Sequence, residues 1–153
     1  MIRVLFVCLG NICRSPMAEA VFMHHVHAAG LASQIIADSA GTGHWHLGEP
    51  PHPGTMRILH ARGIPYAHRA RLITRHDLEH FDYILTMDEM NWQDVQELGP
   101  GRAKVMRLME FAPHTGQTEV PDPYYSGRFE EVYHLVNEAT QGLLEYIRRE
   151  HGV

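Results

Sequence analysis

The chain opens on an apolar run over residues 2–7, rich in Val, Leu and Phe, whose length suits a buried strand and which stops at Cys8-Leu9-Gly10. From Pro16 onward the period changes: Met17, Ala20, Val21 and His24 recur at helical spacing to about Ala29, with Pro suited to a first helical turn and Gly30 to the end. A strand, a tight loop and a helix therefore follow one another without a gap. Residues 35–40 read as a second strand, and residues 53–62 as a helix closed by Gly63, where a left-handed residue is favoured. Thr74 can cap a short helix before Phe81. Residues 83–87 predict a third strand, 88–98 a helix, 103–108 a fourth strand and 129–149 a final helix whose apolar face carries Leu135, Leu143 and Ile147. This alternation predicts an α/β fold: a mostly parallel sheet with helices on both faces and a binding site at the carboxyl ends of the strands, where Cys8 lies. Residues 41–54 and 112–127 are left as two long loops.

Composition narrows the function classes. With 153 residues, 44% hydrophobic and 20% charged, one domain over 1–153 is expected to bury a full core. No apolar run approaches the roughly 20 residues of a membrane span, and no signal peptide is visible, so a soluble, cytoplasmic protein is expected, without a membrane partner. The two cysteines, Cys8 and Cys13, cannot frame a disulfide scaffold, and their close spacing points to site chemistry in a reducing compartment. A net charge of -5 speaks against a nucleic-acid partner.

The chemistry concentrates in Cys8-Leu9-Gly10-Asn11-Ile12-Cys13-Arg14-Ser15-Pro16, where a Cys and an Arg flank five residues between a strand and a helix. A short loop entering a helix gathers backbone N–H groups into a concavity that suits a tetrahedral anion. Gly10 is expected to permit the turn. No carboxylate lies between Cys8 and Ser15, and Arg14 offers a planar fork for two phosphate oxygens. The same positive potential favours a Cys8 thiolate as nucleophile, with Ser15 able to donate to it and Asn11 able to tie the loop through its side chain. Leu9, Gly10, Asn11, Ile12, Cys13 and Ser15 are thus the candidate phosphate-binding and loop-supporting residues. Asp122, held between Pro121 and Pro123 and pushed to an extended backbone, is the candidate general acid. Tyr124 and Tyr125 beside it, with Trp45 from the other loop, are candidate walls for a phenyl ring.

Each assignment has a plainer counterpart: Cys8 as a small apolar strand residue, Asp122 as a turn residue, the three aromatics as ordinary half-buried side chains. Of the thirteen histidines, the pairs His25-x-His27 and His44-x-His46 have metal-ligand spacing but no defined third ligand, so they read as solvated surface. No metal and no cofactor is expected.

The Cys8 to Pro16 motif, together with Asp122-Pro123-Tyr124-Tyr125, resembles the low-molecular-weight protein-tyrosine phosphatase family over essentially the whole chain. Ser39-Ala40-Gly41-Thr42, Trp45 and Gly48-Glu49-Pro50 resemble it too. The resemblance implies a four-stranded parallel sheet, no metal, and two-step hydrolysis of protein phosphotyrosine: Cys8 accepts the phosphoryl group, Arg14 clamps it, and Asp122 serves first as acid and then as base. It further implies Cys13 as a redox partner that forms a reversible disulfide with Cys8, inorganic phosphate as product and inhibitor, and a monomer or weak dimer. One departure is His52 in Pro50-Pro51-His52-Pro53, where the family commonly carries Asp as a local loop tie.

Rival functions divide on single residues. Thioredoxin-coupled arsenate reduction needs further cysteines, and none follows Cys13. Phosphoarginine hydrolysis, known among relatives, goes with Thr at the position of Ile12 and without the paired tyrosines. A non-catalytic phosphate-reading or redox-switch module goes with loss of Arg14 or Asp122, and both are present. A nucleotide-binding Walker loop lacks its Gly-Lys-Ser/Thr ending.

Overall fold

Strands and helices alternate as β1 (Ile2–Cys8), α1 (Arg14–Ala28), β2 (Ile35–Gly41), α2 (Pro53–Ala61), α3 (Arg75–His80), β3 (Tyr83–Thr86), α4 (Glu89–Glu97), β4 (Lys104–Arg107), α5 (Pro123–Ser126) and α6 (Phe129–His151), in a computed structural model that describes residues 1–153. The four strands form one sheet in the order β2-β1-β3-β4, and every pair is parallel. β1 is therefore interior, which explains its apolar run: Val4, Leu5, Phe6 and Val7 are fully buried.

Side-chain alternation along β1 sends Val4 and Phe6 to a core shared with α1, α2 and α6, and Leu5 and Val7 to a second core under α3 and α4. Helices cover both faces as the alternation predicts. The chain leaves β1 toward β2 on one side and later returns to place β3 on the other. Loops after β1 and β3 consequently diverge at the carboxyl end of the sheet, and the crevice between them begins at Cys8.

The long α6 is set by its sequence at both ends. Glu130 and Glu131 occupy its first turn and Arg148, Arg149 and His151 its last, complementing the helix dipole, and Gly152 ends it at φ 67°. Val132, Leu135, Val136, Leu143 and Ile147 form its buried face. The apolar face expected of this helix is thus the one that packs.

Three differences from the sequence expectations have local causes. Helix α1 starts at Arg14, two residues before Pro16, because the preceding loop already delivers the chain in helical geometry. Strand β4 stops at Arg107, since Leu108–Phe111 turns into a 3-10 helix. Residues 112–127, expected as one loop, hold a 3-10 turn at Pro113–Thr115 and the four-residue α5, both too short to leave a periodic signal.

Gly142 lies inside α6 where a Cβ would stand 2.1 Å from the Phe111 carbonyl oxygen. Gly142→Ala should therefore lose about 1–3 kcal/mol in urea unfolding, overriding the gain of about 1 kcal/mol that Ala brings to an unhindered helix position. A more stable variant would refute this account of the contact.

Candidate active site

Between β1 and α1 the chain turns through five residues, and four carbonyls at its two ends are held from outside it. Cys8 O accepts from Thr42 N–H (3.0 Å), Leu9 O from Gly43 N–H (2.8 Å), Ile12 O from His52 N–H (2.8 Å) and Cys13 O from Thr55 Oγ1 (3.0 Å). In a trans peptide the N–H points opposite to the carbonyl, so the N–H groups of Leu9, Gly10, Cys13 and Arg14 face the other way, into the concavity. No backbone N–H from Leu9 to Arg14 has a backbone acceptor in the protein. The result is a cup of unpaired donors at the start of a 15-residue helix, a natural anion site.

The expectation for Gly10 is corrected here. The left-handed residue of the turn is Asn11, at φ 58°, and Gly10 is not in that region. What Gly10 supplies is space: a Cβ would come 3.0 Å from His46 Cδ2. Gly41 acts similarly from β2, where a Cβ would meet Leu9 O at 2.7 Å. Asn11 tolerates its conformation because its side chain is anchored on every side. Nδ2 donates to Ser15 Oγ (2.9 Å) and Ser39 Oγ (3.0 Å), while Oδ1 accepts from Arg71 N–H (3.0 Å) and His68 Nε2 (2.8 Å).

Cys8 ends β1 at the floor of the cup, with Sγ 3.0 Å from Ser15 Oγ. That hydroxyl oxygen accepts from Asn11, and toward a Cys8 thiolate, which can only accept, it gives its proton in preference to Ala40 O at 3.5 Å. Cys13 is different: burial first, and then Cys8 and Asp122, push its thiol up to about 12 against the pull of Arg14. Cys13 is thus held as a thiol.

Arg14 is almost wholly buried, and its orientation comes from two residues that sequence reasoning did not single out. Nη1 donates to Asp88 Oδ2 (2.7 Å) and to Val120 O (3.0 Å). Asp88 lies two residues past β3 and caps α4 by accepting from Asn91 N–H (2.8 Å), so one carboxylate starts a helix and aims a guanidinium. An Asp opening the predicted fourth helix was the available signal. Burial pulls the guanidinium down, but Cys8, Asp88 and Asp122 outweigh it and hold Arg14 above its ordinary value. Nη2 stays free of Asp88 and lies 3.8 Å from Asp122 Oδ2.

Asp122 has the extended backbone expected before Pro123 (φ -81°, ψ 116°), and its Oδ1 caps α5 through Tyr124 N–H (3.1 Å). The loop that carries it is tied to the residue after β3 by Val120 N–H to Met87 O (2.8 Å). Its second oxygen is left facing Arg14. Together these residues surround a cleft of about 450 Å³ with Cys8, Cys13 and Arg14 at its base, Leu9, Gly10 and Ile12 along the loop, and Trp45, Asp122, Tyr124 and Tyr125 above. Asn11 and Ser15 stand behind the loop, outside the cleft. The rim is wet: Trp45 is 63% and Tyr125 93% exposed.

Two histidines also depart from expectation. His46, read as solvated surface, lines the cleft, with its ring 5.5 Å from Tyr124 and Nδ1 3.2 Å from Glu49. His52 supplies the loop tie that its departure from Asp put in question: Nδ1 accepts from Gly54 N–H (2.9 Å) as the cap of α2, and the ring stacks on Phe129 at 4.9 Å. Behind the loop, Ser39 and His68 connect Asn11 to Tyr66, whose hydroxyl donates to Glu19 Oε1 (2.6 Å), and Arg71 pairs with Asp38 and Asp77. Burial pushes the Glu19 carboxyl up to about 7, against the hydrogen bonds from Tyr66 and Ser39 that draw it down.

Comparison with known proteins agrees with this geometry along the whole chain. The family model described as low molecular weight phosphotyrosine protein phosphatase matches residues 3–152. The low molecular weight protein-tyrosine-phosphatase YfkJ of Bacillus subtilis is 46% identical, with 98% of each chain covered, and PtpA of Staphylococcus epidermidis is 43% identical over 96% of this chain and 94% of that one. The crystal structure of YfkJ superposes with a TM-score of 0.95 at 45% identity, covering 99% of this chain and 97% of that one. That of a Drosophila arginine phosphatase superposes with a TM-score of 0.90 at 31% identity, covering 95% and 97%. On the match across residues 3–152 and these near-full-length relatives, the chain belongs to the low molecular weight phosphotyrosine protein phosphatase family.

Proposed function

We propose that this protein hydrolyses phosphotyrosine in proteins through a cysteinyl-phosphate intermediate. The observation that carries the reading is the cup of inward N–H groups with Cys8 at its floor and both Arg14 and Asp122 at its edge. The Cys8 thiolate attacks phosphorus, the bond to the phenolic oxygen breaks, and the Asp122 carboxyl gives its proton to that oxygen, releasing tyrosine. Asp122, now a carboxylate, takes a proton from water. The resulting nucleophile attacks phosphorus, the S–P bond breaks, and inorganic phosphate leaves as product and competing ligand. Arg14 Nη2 and the loop N–H groups hold the equatorial oxygens, where charge builds up in each transition state, and they are in place before substrate arrives. Ser15 steadies the thiolate when it is the leaving group.

The rim supports an aryl ester. Trp45, His46 and Tyr124 line the cleft that has Cys8 in its wall, so a phenyl ring finds aromatic surface there that the ringless phosphoserine side chain does not use. Ile12 lines the same wall and gives an apolar surface to the ring. The similar fold of the Drosophila arginine phosphatase makes phosphoarginine the reading to test alongside. The chemistry fits a reducing cytoplasmic compartment, in keeping with two unbonded cysteines. No helix is long and apolar enough to cross a membrane.

Phosphotyrosine, phosphoserine and phosphoarginine peptides should be compared without added metal. Release is expected from phosphotyrosine and should fall by at least about a thousandfold in Cys8→Ser, while phosphate binding by that variant persists. Release mainly from phosphoarginine would overturn the substrate, and turnover by Cys8→Ser the mechanism. Asp122→Asn should cost about 10²–10⁴ in kcat with phosphotyrosine and much less with an aryl phosphate whose phenol is strongly acidic. Equal losses with both esters would remove Asp122 from the acid role.

Cys13 is proposed as the redox partner. Peroxide converts the Cys8 thiolate to a sulfenic acid with loss of water or hydroxide, and attack by Cys13 sulfur forms the disulfide and expels the sulfenic oxygen as water. The attacking form is the thiolate, and the Cys13 thiol is held up near about 12, so the thiolate fraction grows tenfold per pH unit below that value. Disulfide closure followed by rapid quench should therefore accelerate about a hundredfold from pH 7 to pH 9. A rate independent of pH would exclude Cys13 thiolate as the attacking group.

A further inference from the structure

The stretch that carries Asp122 has few ties to the rest of the molecule. Every hydrogen bond of residues 121–127 stays within 121–129: Tyr124 N–H donates to Asp122 Oδ1 (3.1 Å), Gly127 N–H to Pro123 O (2.8 Å), Arg128 N–H to Ser126 Oγ (3.3 Å) and Phe129 N–H to Gly127 O (2.9 Å). Asp122 and Arg14 Nη2, at 3.8 Å, stand beyond hydrogen-bond distance. The four residues of α5 are too few to hold a helix by themselves. A general acid nevertheless works only when its carboxyl is kept within reach of the leaving oxygen. Val120 ties the chain just before the stretch, and within it the side chains that reach across to other elements are the buried Pro123 and Tyr124.

The Tyr124 ring meets two imidazoles from one loop, His46 at 5.5 Å between ring centroids and His52 at 5.7 Å. Both separations lie in the range where aromatic rings attract. Each imidazole is itself fixed to the phosphate loop. His46 Nδ1 stands 3.2 Å from both carboxylate oxygens of Glu49 and carries its hydrogen toward them, since a carboxylate only accepts. The edge of that ring lies over Gly10, where a Cβ would come 3.0 Å from Cδ2. His52 donates its backbone N–H to Ile12 O (2.8 Å), and its Nδ1 accepts from Gly54 N–H (2.9 Å). Its ring stacks on Phe129 at 4.9 Å, and Gly54 leaves room for that stack, because a Cβ there would come 2.4 Å from the Phe129 ring. Neither imidazole can turn away from Tyr124 without giving up one of these contacts.

We propose, resting on the reading of Asp122 as general acid, that His46 and His52 are positioning residues for that acid. By gripping the Tyr124 ring they hold α5 against the phosphate loop, and because Tyr124 N–H is bonded to Asp122 Oδ1, they hold the carboxyl in the same frame as Cys8. Neither imidazole passes a proton to the substrate. With the ring released, α5 pivots between the Val120 tie and Gly127, and the carboxyl moves with it. A displacement of about 1 Å is enough to cost on the order of a hundredfold in a step that depends on alignment. The cost therefore falls on esters whose leaving oxygen needs a proton. Loss of aromatic wall area, by contrast, falls on every aryl ester alike.

The test measures kcat/KM of the full chain on phenyl phosphate, whose phenol is a weak acid, and on dinitrophenyl phosphate, whose phenol is a strong one. His46→Ala and His52→Asn should each lose at least about tenfold on the first and less than about threefold on the second. His46→Phe, which keeps a ring against Tyr124, should stay within about threefold of the parent on both. In a Tyr124→Leu background His52→Asn should cost less than about twofold more, since the ring it holds is gone. His52→Asn keeps an acceptor for Gly54 N–H, and a partly unfolded variant lowers both esters together, so the ratio between them reads position and not folding. Equal losses on both esters in either histidine variant, while Asp122→Asn still discriminates between them, would overturn the proposal. So would a His46→Phe as impaired as His46→Ala, or a full additional loss on the Tyr124→Leu background. Equal losses in Asp122→Asn itself would instead strike the acid role on which the proposal rests.

Discussion

Everything at the site rests on one side-chain amide. Asn11 occupies a backbone region that costs a non-glycine residue energy, and it stays there because both ends of its amide are engaged, by Ser15 and Ser39 on one side and by Arg71 N–H and His68 on the other. Replacing it with an apolar residue would orphan several buried partners, each at about 1–3 kcal/mol. The amide also sets the Ser15 hydroxyl, which in turn faces the Cys8 sulfur. A chain of hydrogen bonds thus runs from a loop 60 residues downstream, through Asn11, to the nucleophile.

Arg14 does for the other edge what Asn11 does for the loop. Its Nη1 joins the turn after β3, through Asp88, to the segment carrying Asp122, through Val120 O. Two segments already joined by Val120 N–H to Met87 O are thereby held to one guanidinium as well. The arrangement depends on the strand order: only because β1 lies between β2 and β3 can the loop after it be braced from Ser39 on one neighbour and from Asp88 just past the other. Fixing donors in this way beforehand lowers the reorganisation that catalysis would otherwise require.

Much of this was legible in the amino-acid sequence because it was written locally. The apolar run of β1, the change of period at α1 and the spacing of Cys8 and Arg14 lie within one short stretch, and the prolines around Asp122 announce its backbone. What escaped was tertiary. Ser39, His68, Arg71 and Asp88 are ordinary polar residues far apart in sequence, and nothing about their neighbours marks them as partners of the loop. Gly10 drew attention as the flexible residue although Asn11 bears the positive φ, since glycine permits a left-handed turn without requiring one. His46 was discounted because its pairing with His44 suggested metal ligands or nothing, whereas its place in the cleft follows from a loop path that periodicity cannot read. The short α5 was invisible for want of length.

The exposure of the cleft rim separates two kinds of residue by what they cost the protein. Trp45 and Tyr125 stand mostly in water on segments that add little to either core, whereas Cys8, Asn11, Arg14 and Ser15 are buried and knitted into the sheet. Substitutions at the rim therefore exchange one solvated surface for another and leave folding free energy nearly untouched. Lineages of this chain are free to drift in which phosphoproteins they admit while the reaction centre stays still. Selectivity here is the evolvable coat on an immovable chemistry, and a library randomised at the rim would retain its folded members almost intact.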